Sequence, residues 1–190
     1  MELQDTLEQR RSYRAIEPCE INSEIIAQLA TAASLAPSCR NNQPWRFVFV
    51  SHPEILKEIK QTFAEGNIWA HQAALVIAVC SKKEFDCINP DGRENYWFDT
   101  GMATGFLLLK ATEMGLTTHP IGGFNLAKAK TTLNIPEDVE LQALIIVGKK
   151  SSVIPDYFQD YQKENELKRP ERKPIQDIVY LDKYGESLLL

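Results

Sequence analysis

Three short stretches of this 190-residue chain concentrate the side chains able to hold an anion or a planar ring. Arg10-Arg11-Ser12-Tyr13-Arg14 sets three guanidinium groups within five residues. Such planar, forked donors suit one phosphate or the carbonyl edge of a planar heteroaromatic ring, and the Ser12 hydroxyl adds another donor. A solvated basic patch at a helix end, where positive charge complements the macrodipole, is the plainer reading, and a phosphorylation site is a third. Ala36-Pro37-Ser38-Cys39-Arg40-Asn41-Asn42-Gln43-Pro44-Trp45-Arg46-Phe47 gathers amide and hydroxyl side chains in one loop. It matches the donor and acceptor edge of a heteroaromatic ring, or equally a polar turn held by local Asn hydrogen bonds. Pro120-Ile121-Gly122-Gly123-Phe124 carries two consecutive glycines. A planar ligand can lie against such a backbone and meet its N–H groups, although a strand-to-helix turn uses the same residues.

These stretches need elements to position them. A short helix over 2–9 puts the arginines where that helix ends and an extended segment begins. Asn22 is a good N-cap for a helix over 24–35, with Ile25, Ile26, Leu29, Ala32 and Ala33 as its apolar face and Pro37 beyond its end. Residues 45–51 cluster aromatic and β-branched side chains as a strand does, and His52-Pro53 opens a helix to about 64. Residues 73–79 are apolar enough for a strand buried on both faces. The pattern over 93–114 is helical, and from 97 to 109 it is apolar nearly all round, with Asp99 its only charge, so it must be buried. Gly101 and Gly105 lie four apart on one face of it and admit another backbone closely. A central helix shared with a second subunit is favoured over intrachain packing, because few other elements remain to cover it.

Residues 116–119 read as a short strand, 120–125 as a turn into a helix over 126–133, and 141–147 as another buried strand. Beyond Gly148 the chain is polar and punctuated by proline, with 178–180 as one late strand. Residues 151–190 are therefore expected to be a C-terminal tail that wraps over the main body or a partner subunit, within a single domain over 1–190. Strands separated by helices suggest a doubly wound parallel sheet. The Gly-x-Gly-x-x-Gly and Walker loops are absent, so an α+β fold with a mixed central sheet flanked by helices fits better.

A content of 44% hydrophobic and 25% charged residues fits a globular domain able to bury a core. The net charge of -5 argues against a broad nucleic-acid footprint, so any anion site must be local. The apolar stretches fall short of a membrane span, and residues 1–10 lack the apolar core of a signal peptide. A cytoplasmic protein without nucleic-acid or membrane partners is expected. Cys19, Cys39, Cys80 and Cys87 show no close-paired metal spacing and are expected to be reduced thiols. His52, His71 and His119 lie far apart, and no metal is expected.

In this order and spacing, the three stretches, the Asp99-x-Gly101 helix, Gly115-Leu116 and Arg172-Lys173-Pro174 resemble the nitroreductase family of FMN-dependent oxidoreductases over almost the whole chain. The resemblance implies an α+β sandwich that forms an intertwined homodimer, with FMN bound non-covalently at the subunit interface. It implies that Arg10 and Arg172 hold the FMN phosphate. Arg11, Ser12 and Arg14 would reach the phosphate, ribityl or pyrimidine edge, with Arg14 at N1 and O2. Ser38, Asn41 and Gln43 would contact the ribityl chain, phosphate or flavin edge, partly from the other subunit, and Asn67 falls near the position that meets the pyrimidine ring. Pro120, Ile121, Gly122 and Gly123 would pass beneath the isoalloxazine, a backbone N–H near N5. The chain departs from better-known members at Gly122, where many carry Glu, and at Pro170, where a second basic residue is usual and Lys168, Arg169 or Lys173 would compensate. It is also short, which implies a broad or shallow substrate pocket.

The implied chemistry is ping-pong electron transfer from NAD(P)H to a nitroaromatic, quinone or similar small acceptor, with no catalytic acid or base. Reductive dehalogenation, flavin reduction for a partner, flavin fragmentation and a non-enzymatic flavin-binding or sensory role are the alternatives.

Overall fold

Two runs rich in Leu, Ile and Val become the central strands of a five-stranded sheet in the computed structural model, which describes residues 2–187. The strands are β1 (Ile16–Glu17), β2 (Arg46–Val50), β3 (Leu75–Ser81), β4 (Thr117–Ile121) and β5 (Glu140–Lys150). Their order is β1-β5-β3-β2, with β4 also paired to β5. The α+β class is as expected. The expected mixture of strand directions is not found, since every ladder among the described residues is antiparallel. From β2 the chain passes through α3 (Pro53–Lys60) and a 3-10 segment, Glu65–Gln72, and returns as β3 in the opposite direction.

All seven residues of β3 are buried. On one face of the sheet, Leu75, Ile77, Val79, Ile145 and Val147 pack with Leu29 and Ala33 of α2 (Ser23–Ser34) and with Ala103, Leu107 and Ala111 of α4 (Tyr96–Glu113). Each fully buried Leu, Ile or Val stabilises the fold by roughly 1.5–3 kcal/mol. The Asn22 side chain accepts from the Ile25 N–H at 2.9 Å, as the cap of α2 requires. Helix α4 buries Asp99, Thr100, Ala103, Leu107 and Ala111, but Phe98 is 71% and Phe106 42% exposed. The expectation of burial all round therefore holds for one face only within this chain. On the other, Gly101 and Gly105 look onto open space.

Several boundaries differ from expectation. Helix α3 stops at Lys60, where the Thr62 hydroxyl donates to the Ile59 carbonyl. Strand β4 runs on through Pro120, which was expected in the turn, to Ile121. An edge strand tolerates a residue without an N–H, and Pro120 stands opposite Ile145 there. The turn that follows is shorter, 122–125, and leads to α5 (Leu126–Thr132).

The chain divides into two compact units, one ending at Asp156 and one beginning at Tyr157. The second contains a helix the sequence reading lacked, α6 (Asp160–Leu167), opened by a reciprocal capping box between Gln159 and Gln162. The late strand expected over 178–180 is absent. A 3-10 turn, Ile175–Asp177, and a single bridge between Tyr180 and Ser187 stand there instead. Residues 188–190 of the expected tail lie outside the described residues. No helix of the described residues is long and apolar enough to cross a membrane.

The expectation of four reduced thiols is also corrected. Cys39 and Cys87 form a disulfide with Cα atoms 6.0 Å apart, while Cys19 and Cys80 are free. The pair is 48 residues apart, so spacing could not show it. Pairing of Arg46 with Cys80 brings the loop before β2 and the loop after β3 to the same end of the sheet.

Candidate functional site

The arginine stretch is held against β4. Arg10 ends α1 (Leu3–Gln9) with its N–H on the Thr6 carbonyl and then turns extended. The Tyr13 carbonyl lies 3.2 Å from His119 Nδ1. Because a carbonyl only accepts, Nδ1 carries the proton. The His119 ring stacks on Trp69 with centroids 4.6 Å apart. Burial above all, and then the Arg14 and Arg10 charges, push its imidazole down to about 4, against the pull of the Tyr13 carbonyl. The same tyrosine ring takes the Arg11 guanidinium at 4.6 Å and the Lys150 ammonium at 4.4 Å.

The glycine stretch follows directly on β4. Gly123 offers its carbonyl to Asn67 Nδ2 at 2.8 Å and to the Ala64 N–H at 3.0 Å. A Cβ on Gly123 would come within 2.7 Å of Asn67 Nδ2, so a side chain there would push the Asn67 amide aside. At Gly122 a Cβ would meet nothing within 4 Å. Asn67 and Trp69 belong to the same 3-10 segment, which thus ties the glycine ledge to the arginine strip. Arg10, Arg11, Ser12, Arg14, Asn67, Pro120, Ile121, Gly122 and Gly123 are in this way gathered around β4 and its exit.

The Ser38–Gln43 loop is elsewhere. It leads into β2, and β5 and β3 stand between β2 and β4, three interstrand spacings or about 14 Å. Ser38 Oγ accepts from the Gln43 N–H at 2.9 Å, and Gln43 Nε2 donates to the Asn41 carbonyl at 3.2 Å. Arg40, Asn41 and Gln43 all have left-handed φ, at 51°, 60° and 51°. The Cys39 N–H donates to Asp99 Oδ2 at 2.6 Å, which gives the one charge within the apolar stretch 97–109 of α4 a task. Burial, opposed by that N–H and aided by nearby Asp86, raises the Asp99 carboxyl above its ordinary value. Arg172 belongs to the second unit, exposed between α6 and the 3-10 turn.

Sequence reasoning did not find Trp69, His119 or Asp86. Trp69 reads as a core residue, His119 lacks a partner nearby in sequence, and Asp86 reaches the loop through Asn42, 44 positions away. A lone charge in that apolar stretch was the available signal for Asp99.

Residues 7–149 match the Nitroreductase family. The chain belongs to that family. A relative from Archaeoglobus fulgidus, named as a candidate NADH dehydrogenase/NAD(P)H nitroreductase, is 27% identical over 168 residues, 86% of this chain and 91% of that one. An iodotyrosine deiodinase of Haliscomenobacter hydrossis is 31% identical over 182 residues, covering 79% and 81%. A solved structure described as an oxidoreductase containing FMN superposes with a TM-score of 0.82 at 27% identity, over 96% of this chain and 92% of that one. The fold is thus that of nitroreductases, and the chain is an oxidoreductase of that family.

Proposed function

We propose that this nitroreductase-family chain binds FMN non-covalently in a pocket built from two copies, and uses it to reduce small electrophilic acceptors. The observation that carries the reading is the arginine strip held beside an open glycine ledge, Gly122 bare and Gly123 kept close by Asn67. Space over a bare backbone next to concentrated positive charge fits a flat ring that carries a phosphate. Bound there, FMN would supply hydride-transfer chemistry between NAD(P)H and a nitroaromatic, quinone or similar acceptor, in ping-pong order.

The chain's own residues bind and orient. Arg10 holds the phosphate, with Arg11 and Ser12 toward the phosphate, ribityl or pyrimidine edge. Arg14 sits at the N1 and O2 edge, where its fixed charge stabilises negative charge as it develops. Asn67 meets the pyrimidine edge, and Pro120 to Gly123 carry the ring face, with a backbone N–H toward N5. No side chain is assigned as an acid or base, and protons come from water.

Ser38, Asn41 and Gln43 serve the same ring from the second copy, since β3 and β5 separate them from the ledge of their own chain. The open face of α4 gives that copy its seat. A groove of about 510 Å³ runs past Gly101, Thr104, Gly105 and Leu108 to Pro120, and another of about 560 Å³ joins Leu3, Leu7 and Leu35 to Phe106.

The experiment is a steady-state panel with NADH and NADPH against nitroaromatics, quinones, free flavin and iodotyrosine. Turnover of nitroaromatics or quinones, with parallel lines in double-reciprocal plots, supports the reading; intersecting lines contradict the ping-pong order. Iodide release without nitro reduction would favour reductive dehalogenation, the reading suggested by the Haliscomenobacter relative. Bound FMN without turnover of any acceptor would mark a binding or sensory protein.

A further inference from the structure

We infer that Cys39–Cys87 is a thiol–disulfide exchange site for small dithiols, and that its oxidation state sets how firmly the Ser38–Gln43 loop holds FMN. The second half rests on the proposed role of that loop; the first stands without it. The bond joins the loop to the segment after β3, and neither cysteine is fully buried. A cleft of about 360 Å³ opens onto the two sulfur-bearing residues, walled by Arg40, Asn42, Ile88, Asn89 and Pro90. That is room for a small thiol but not for a protein domain. Buried Cys80, by contrast, has its thiol pushed up to about 11 by desolvation.

The loop is held in a costly conformation. Three non-glycine residues, Arg40, Asn41 and Gln43, keep left-handed φ, and two of these carry the side chains proposed to meet FMN. Such a conformation persists only where the surroundings over-determine it. Non-covalent ties help to hold it: Arg46 donates to the Gln43 carbonyl at 3.0 Å, and Asn42 Nδ2 lies 3.3 Å from Cys87 Sγ. The Cys39 N–H reaches Asp99, Asn42 Nδ2 donates to Asp86 Oδ1 at 3.3 Å, and Asp86 Oδ1 also accepts from the Cys87 N–H at 2.7 Å. The disulfide is the covalent member of that set. Once it opens, Arg40, Asn41 and Gln43 can relax toward ordinary φ, and Asn41 and Gln43 leave their positions.

The exchange balances without another reactant. One thiolate of the dithiol attacks a sulfur of the pair, forming a mixed disulfide and releasing the other cysteine as a thiolate. The second thiolate of the dithiol then displaces the first cysteine. Two electrons and two protons pass to the protein, which gains two thiols, while the dithiol becomes its cyclic disulfide. The reverse sequence, with an oxidised dithiol, restores the bond.

The test uses the FMN-loaded protein, treated with dithiothreitol or with its oxidised form, then denatured and alkylated for peptide mass analysis. After the oxidised reagent, only Cys19 and Cys80 should be labelled; after the reduced one, all four. FMN release, followed by fluorescence, should be at least ten-fold faster in the reduced protein and in Cys87→Ser, and unchanged in Cys19→Ser. The double variant Cys39→Ala/Cys87→Ala should behave as the reduced form and ignore either reagent. Labelling of all four cysteines after the oxidised reagent overturns the exchange site. Reversible pairing with equal FMN release in both states overturns the coupling. If FMN binds in neither state, the flavin reading fails and takes the coupling with it, while the labelling pattern still decides the exchange.

Discussion

Tyr13 and His119 are the residues through which the arginine strip is positioned, and their contact has a measurable signature. His119 is held neutral because burial and the Arg14 and Arg10 charges lower its native value to about 4, against an ordinary 6.5. The unfolded chain takes up a proton near 6.5 and the native one only near 4, so stability is full above 6.5 and falls as pH drops through this window. The loss amounts to about 3 kcal/mol at most, at about 1.4 kcal/mol per unit of difference. Below about 4 both states are protonated and the loss stops growing. Denaturant midpoints between pH 7 and 4 should show this slope in the wild type, and His119→Gln, which can still donate to the Tyr13 carbonyl, should lack that part of it. An equal slope in both proteins would separate His119 from the effect. Much at this scale was legible in the sequence. Residue type and order single out Arg10 to Arg14 and Pro120 to Gly123, and the resemblance alone adds Asn67; the structure places these residues around β4 and its exit. His119 and Trp69 are not singled out, because ring stacking and a hydrogen bond to a backbone carbonyl across 106 residues leave no local pattern.

Helix α4 is the element on which the proposed assembly depends. Its inner face belongs to the core with Ala103, Leu107 and Ala111, while Phe98, Phe106 and the two open glycines form the outer face. Replacing Phe98, which is 71% exposed within this chain, should cost its fold little and its self-association much. Phe98→Asp is therefore expected to keep the far-ultraviolet circular dichroism of the wild type, halve its mass in light scattering, and lose its bound FMN. A wild type that is already a monomer, or a Phe98→Asp variant that remains a dimer with FMN, would contradict the shared-helix reading. Periodicity exposed this helix clearly, since an apolar run with one charge has few other uses. It showed less well where elements stop. The sequence places Pro120 in the turn 120–125, whereas its position on an edge strand lets β4 continue through it without an N–H. Helix α6, short and polar, offered no apolar period, and its Gln159–Gln162 cap was the signal passed over.

At the scale of the whole molecule, the sheet order turns a list of residues into a claim about assembly. The loop at β2 and the ledge at β4 lie on strands with two others between them, so the proposed pocket is completed by a second copy. Sequence order alone could not say this, since strand pairing is set by contacts between distant segments, as the Cys39–Cys87 bond also was. The central claim is that this pocket holds FMN and that a nicotinamide reduces it there. The most direct measurement is the absorbance spectrum of the purified protein under anaerobic titration with NADH and then NADPH. The account predicts flavin bands that stay with the protein through gel filtration and bleach at near one equivalent of reductant per chain. A protein that carries no flavin and takes up none when FMN is supplied would contradict it.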